Sequence, residues 1–151
     1  MKNTKTIKIK DIETQHPQVI TPEARLIEAA RMMKILDVGC LPVCEGDHLV
    51  GFLTDRDITL RAVAEGLHPA QARVRDVMTS KVVSCYEDQD IDECADLMER
   101  KQIRRIPVMD HEEHLVGIVS LSDLSNRSDK KDLAGEVLNR VSAQNLPASP
   151  S

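Results

Sequence analysis

Two short patterns in this chain bring together residue types able to do chemistry: Thr54-x-x-Asp57 and Ser120-x-x-Asp123. A hydroxyl followed three residues later by an acid, at a strand-to-helix junction, has a structural meaning. The hydroxyl caps the helix and the acid returns to the N–H of the cap residue. The same geometry has a second use. A helix start offers unpaired N–H groups and partial positive charge, which suit a phosphate. The hydroxyl can donate to a phosphate oxygen, and the carboxylate can accept from two vicinal sugar hydroxyls. Arg104 and Arg105 belong with the second pattern, because paired guanidinium groups bind phosphate well. The equivalent positions for the first pattern are Gly39 and Cys40, which carry no charge. The sequence therefore predicts at most one strong phosphate-binding corner, on the side of Arg104. Arg56 and Lys101 are read as surface ion-pairing residues.

Other reactive residues form weaker patterns. Cys40-x-x-x-Cys44 has the wrong rhythm for a zinc knuckle on a strand, since positions i and i+4 of a strand share a face but stand apart. His111-x-x-His114 falls in a turn without nearby thiolates, and His16, His48 and His68 are scattered. No metal site is expected. No nucleophile, base and orienting acid stand in a catalytic order. The six glycines are dispersed, so no glycine-rich phosphate loop exists. The expectation is a protein that is not an enzyme.

Composition narrows the classes further. With 151 residues, 41% hydrophobic and 30% charged, the chain suits a compact domain or two small halves sharing a core. One Phe, one Tyr and no Trp leave the core to aliphatic residues and remove the stacking platforms that single-stranded nucleic acid uses. A net charge of -5 also disfavours nucleic acid. Lys2, Lys5, Lys8 and Lys10 precede no apolar segment, so no signal peptide is read. No stretch is apolar enough to span a bilayer. A cytoplasmic protein is expected, with its four cysteines as small buried residues.

The elements that must position these residues are written twice. Leu41-Pro42-Val43 returns as Ile106-Pro107-Val108, and Leu49-Val50-Gly51-Phe52-Leu53-Thr54 as Leu115-Val116-Gly117-Ile118-Val119-Ser120. Ile9-Lys10-Asp11-Ile12 resembles Val74-Arg75-Asp76-Val77, and Val19-Ile20-Thr21 resembles Val82-Val83-Ser84. Leu26, Ala29, Ala30 and Met33 share their spacing with Ile91, Cys94, Ala95 and Met98, the apolar stripe of an amphipathic helix. Each unit reads as strand, helix, strand, strand, helix. The first strand carries Val19-Ile20 or Val82-Val83. The first helix is expected to open at Thr21-Pro22, or at Asp88 in the second unit, and the first unit's helix to stop near Gly39. The last helices begin at Thr54 and Ser120. The expected organisation is a flexible tail (1–6), a first repeat (7–66), a linker (67–73), a second repeat (74–127), a C-terminal helix (128–143) and a disordered tail (144–151).

These motifs resemble the tandem cystathionine-β-synthase (CBS) domain pair, or Bateman module. The resemblance rests on Val74-Arg75-Asp76-Val77-Met78-Thr79, on Arg105-Ile106-Pro107-Val108, and on the two segments Leu49–Ile58 and Leu115–Leu124. It covers roughly residues 7 to 127. It implies an α+β fold in which two β-α-β-β-α repeats, related by a pseudo-twofold axis, pair their sheets. It implies clefts between the repeats for adenosine compounds (AMP, ADP, ATP or S-adenosylmethionine) as regulatory ligands, with no required cofactor. Asp57 and Asp123 would hold ribose, with Thr54 and Ser120 near phosphate. Ile20, Thr21, Val83 and Ser84 would form the adenine slot, walled by Leu41, Pro42, Ile106 and Pro107. The resemblance also implies a homodimer, and the chain looks like the stand-alone class of the module, a regulator signalling to an effector protein. Two alternatives stay open: a ligand-free protein-interaction or scaffolding dimer, and a cysteine-based redox or metal-responsive switch.

Overall fold

The computed structural model describes residues 7–127, so the expected C-terminal helix and both tails lie outside the described residues. A 3-10 turn (Ile9–Asp11) leads into strand β1 (Thr14–Gln15). Helix α1 (Leu26–Leu36), the hairpin β2 (Cys40–Glu45) and β3 (His48–Thr54), and helix α2 (Asp55–Ile58) running into a π-helical turn (Thr59–Val63) follow. The pattern then returns as α3 (Val74–Val77), β4 (Cys85–Tyr86), α4 (Ile91–Lys101), β5 (Arg105–Met109), β6 (Leu115–Ser120) and α5 (Leu121–Arg127). The fold is the α+β architecture the sequence predicts.

The chain packs as two compact units that do not coincide with the sequence repeats. One unit comprises Pro17–Val82 with Glu113–Leu115; the other comprises, among the described residues, 7–16, 83–112 and 116–127. Each repeat thus gives its opening segment to the other repeat's core. Ile9 and Ile12, fully buried, pack with Ile91, Met98, Ile106 and Val119 in the second-repeat unit. Val74 and Val77 pack with Leu26, Leu41, Val43 and Leu53 in the first-repeat unit. The backbone shows the same exchange. Thr14 pairs with Ile118 at the edge of a four-stranded sheet ordered β1-β6-β5-β4. Thr79 and Phe52 exchange both hydrogen bonds, each 2.9 Å.

Several local expectations are corrected. Helix α1 opens at Leu26, with Arg25 as N-cap and no side-chain cap. Thr21-Pro22 lies in the preceding turn. The linker replaces the cap: Ala72 O and Pro69 O accept from the N–H groups of Leu26 (2.8 Å) and Ile27 (2.9 Å), satisfying groups a helix start leaves unpaired. Helix α4 starts after Asp90, not Asp88; Asp88 is held by His111 at 2.8 Å. Ala30 is exposed, so the buried stripe of α1 is Leu26, Ala29 and Met33.

The α1 stop is not Gly39 but Asp37, left-handed at φ 55; Gln102 takes the same role in α4 at φ 56. A non-glycine residue there carries a steric cost against Cβ. Asp37→Gly is expected to raise stability by about 0.5–1 kcal/mol, the range that separates a tolerated left-handed residue from glycine. Chemical denaturation midpoints at constant m-value check it; an unchanged or lowered midpoint contradicts it.

The opening strands differ most. In the first repeat this segment makes one isolated bridge, Ile20 parallel to Val43. In the second, the strand is Cys85–Tyr86, with Cys85 opposite Val108. Val82-Val83 is not a strand. The structural partner of Ile20 is therefore Cys85, and the match of Val19-Ile20-Thr21 to Val82-Val83-Ser84 is out of register by two residues.

Candidate functional site

Both hydroxyl-x-x-Asp corners form, each within its own unit. At the first, Thr54 Oγ1 accepts from Asp57 N–H at 3.0 Å and Asp57 Oδ2 accepts from Thr54 N–H at 3.0 Å. At the second, Ser120 Oγ accepts from Asp123 N–H at 3.2 Å and Asp123 Oδ2 accepts from Ser120 N–H at 2.8 Å. The capping reading is thus satisfied at both. It leaves the functional reading a smaller set of atoms. One oxygen of each carboxylate is committed to the cap, so a sugar hydroxyl would meet the other, Oδ1. The cap fixes the carboxylate's orientation before any ligand arrives.

The strand that enters each corner is tied to it by one backbone bond. Gly39 O accepts from Asp55 N–H, and Arg104 O accepts from Leu121 N–H, both at 2.9 Å. This ties the backbone at Arg104-Arg105, both exposed, to the helix start at Ser120 and Asp123. The first corner differs. The Oδ2 of Asp55 lies 3.1 Å from where a Cβ on Gly39 would stand. The counterpart of Asp55 in the second repeat is Leu121. The first corner is therefore not merely uncharged on its strand; it has a carboxylate where the second has a leucine.

Arg61 is a residue the sequence reading missed. Its Nη1 donates to Val77 O (3.1 Å) and Met78 O (3.2 Å) and stands 3.9 Å from Asp57 Oδ1. It ties the π-helical turn after α2 to the end of α3 and stands near the remaining oxygen of Asp57.

The expected adenine-slot residues are brought together in the first-repeat unit and only partly in the second. Ile20 N–H donates to Pro42 O at 3.0 Å, next to buried Leu41, with Thr21 exposed. In the second-repeat unit Ile106 and Pro107 are buried on β5, while Val83 is half-buried and Ser84 exposed, both outside the strand. Cys85-Tyr86 occupies the place that Ile20-Thr21 holds. A constant spacing of 65 residues between the strand pairs would have exposed this.

All four cysteines are buried, and none forms a disulfide. Burial and then the charge of Asp47 push the Cys44 thiol up. A hydrogen bond with Cys85 and then burial push the Cys94 thiol up. Neither of these two favours the thiolate that redox chemistry needs, while the hydrogen bond with Cys94 lowers the Cys85 thiol.

A family model described as the CBS domain matches residues 9–63 and 74–130. The CBS domain-containing protein YhcV of Bacillus subtilis is 39% identical over 138 residues, covering 91% of this chain and 97% of YhcV. Among solved structures, Hypoxic Response Protein I with two coordinated zinc ions aligns at a TM-score of 0.73 and 33% identity, over 79% of this chain and 97% of that one. The CBS domain pair of protein MJ0100, in complex with 5′-methylthioadenosine and S-adenosyl-L-methionine, aligns at a TM-score of 0.73 and 28% identity, over 87% of this chain and 99% of that one.

Proposed function

The chain is a member of the CBS domain family, carrying two CBS domains, and we propose that it is a non-catalytic regulatory module that binds an adenosine-containing ligand and signals to a partner protein. The ligand class is an adenine nucleotide (AMP, ADP or ATP) or S-adenosylmethionine. The observation that carries this reading is the second corner. The 2.9 Å bond from Leu121 N–H to Arg104 O ties the backbone of Arg104-Arg105 to the helix start that carries a capped Ser120 and an oriented Asp123. Such a set supplies charge-assisted donors for phosphate and a carboxylate oxygen for sugar hydroxyls.

The first corner suits a different member of the same class. Asp55 beside Gly39 repels phosphate. It favours a nucleoside whose 5′ substituent is uncharged or positive. The ligands named for the MJ0100 pair support this, since neither carries a phosphate.

Calorimetry tests the assignment. Asp123→Ala is expected to weaken adenine-nucleotide binding by about 10–100-fold, since a hydrogen bond to a charged group contributes about 1.5–3 kcal/mol. Arg104→Ala with Arg105→Ala is expected to weaken AMP more than adenosine. Unchanged affinity in both Asp57→Ala and Asp123→Ala overturns the site. The absence of any thermal stabilisation by AMP, ADP, ATP or S-adenosylmethionine overturns the ligand class.

The closed capping boxes favour a second reading, a ligand-free interaction dimer. Ile35 and Val63, 81% and 70% exposed, offer apolar surface to another copy or to an effector. We place the protein in the cytoplasm, where thiols outside disulfides persist. No helix among the described residues is long and apolar enough to cross a membrane.

A further inference from the structure

Glu13 is the one buried polar side chain among the described residues, 5% exposed. Its Oε2 has no hydrogen-bond partner. It sits at the end of the opening segment, immediately before β1, and its carboxyl presses on β6. A Cβ added to Gly117 would stand 2.8 Å from both its Cδ and its Oε2.

The other repeat provides an internal control. Val74–Thr79 repeats Ile9–Thr14, and the residue in the place of Glu13 is Met78. Met78 presses on Gly51 in the same way, its Sδ 2.5 Å from an added Cβ. The position therefore calls for an apolar side chain lying on a glycine, and one repeat fills it with an acid.

We propose that Glu13 makes the docking of the opening segment on β6 proton-dependent. With its proton, the neutral acid seats the segment on Gly117 as Met78 seats its counterpart on Gly51. When the carboxyl releases that proton to solvent, a buried charge whose Oε2 has no partner loosens the segment and frees the sheet edge that β1 covers.

The surrounding charges add no compensation. Lys8, on the same segment, is held by Asp90 at 2.7 Å. Asp11 accepts from Lys8 N–H, and Lys10 is exposed. β6 presents Gly117. Glu87, which precedes α4, is the outside charge that acts on Glu13, and it repels a second anion. Burial first, and Glu87 second, raise the Glu13 carboxyl from 4.5 to about 7. A raised acid contributes its docking fully below 4.5, loses it progressively as pH rises to about 7, and is level above that. Nothing in this requires a bound nucleotide.

The test is amide exchange on the intact chain at pH 5 and pH 8, corrected for intrinsic rates. The reporters are Ile9, Lys10 and His16, whose N–H groups donate to Gln89 O, Glu87 O and Val116 O. Their protection is expected to fall by about tenfold or more between the two pH values in the natural protein, and to stay level in Glu13→Met. His111, whose carboxylate partner Asp88 raises it, also weakens its pairing as pH rises, but it does so equally in both proteins. Should Glu13→Met misfold, Glu13→Gln keeps the shape without the titration and is expected to be equally level. An equal pH response in the natural protein and in a folded Glu13→Met or Glu13→Gln variant overturns the proposal.

Discussion

Replacing Ile12 with alanine will destabilise the unit built around the second repeat, although Ile12 belongs to the first. Ile12 is 1% exposed and packs in the cluster of Ile91, Met98 and Ile106. Truncating a buried isoleucine costs about 2–5 kcal/mol through lost burial and the cavity left behind. That is a large share of the 5–15 kcal/mol, roughly, that holds an ordinary domain. Amide exchange is expected to accelerate in α4, β5 and β6. The mirrored change, Val77→Ala, should act instead on α1, β2 and β3, since Val77 lies in the cluster of Leu26 and Leu41. If Ile12→Ala opens α1 and spares α4, the assignment of the opening segments to their units is wrong.

Gly117→Ala has the second large effect, and it should exceed Gly51→Ala. The two glycines are counterparts, yet their surroundings differ. A Cβ on Gly117 would meet the backbone oxygen of Thr14 at 2.9 Å and the Glu13 carboxyl at 2.8 Å. A Cβ on Gly51 would meet the end of Met78, a flexible side chain, with the Thr79 oxygen farther off at 3.1 Å. Backbone cannot turn aside as a thioether can. Overpacking of this kind costs about 1–3 kcal/mol. Gly117→Ala should fall at the upper end and strip β1 from β6, with Gly51→Ala well below it. Denaturant midpoints of the two variants decide the order; a costlier Gly51→Ala contradicts the ranking.

What the sequence revealed, and what it hid, follows from how local each cause is. The hairpins β2–β3 and β5–β6 and the corners at Thr54 and Ser120 were legible because their signals lie within a few residues. A valine-rich strand, a polar turn and a hydroxyl-x-x-acid pattern need no distant partner to be recognised. The start of α1 was not legible. Its unpaired N–H groups are met by carbonyls of Pro69 and Ala72, some forty residues away, while the local signal of Thr21-Pro22 makes only a turn. The opening strand of the second repeat was misplaced because Val82-Val83 reads as the better strand former. Cys85 wins through burial against Val108. Ile9 and Ile12 read as core residues from their chemistry alone. Which core they enter is a property of topology, and no local pattern encodes it. At the candidate corner, Arg104-Arg105 was visible in the sequence. The carboxylate of Asp55 beside Gly39 was not, because it depends on a strand and a helix start being joined.

The exchange of opening segments constrains how such a chain can change over generations. Duplicated sequences ordinarily free one copy to decay while the other maintains the fold. Here each copy holds a part that its twin needs: Ile9 and Ile12 in one direction, Val74 and Val77 in the other. A deletion that removes one copy takes with it an essential piece of the survivor. The two corners have diverged all the same: Asp55 is exposed at one helix start, and Leu121 is buried in the core at the other. The architecture thus ties the two copies together while their corners differ.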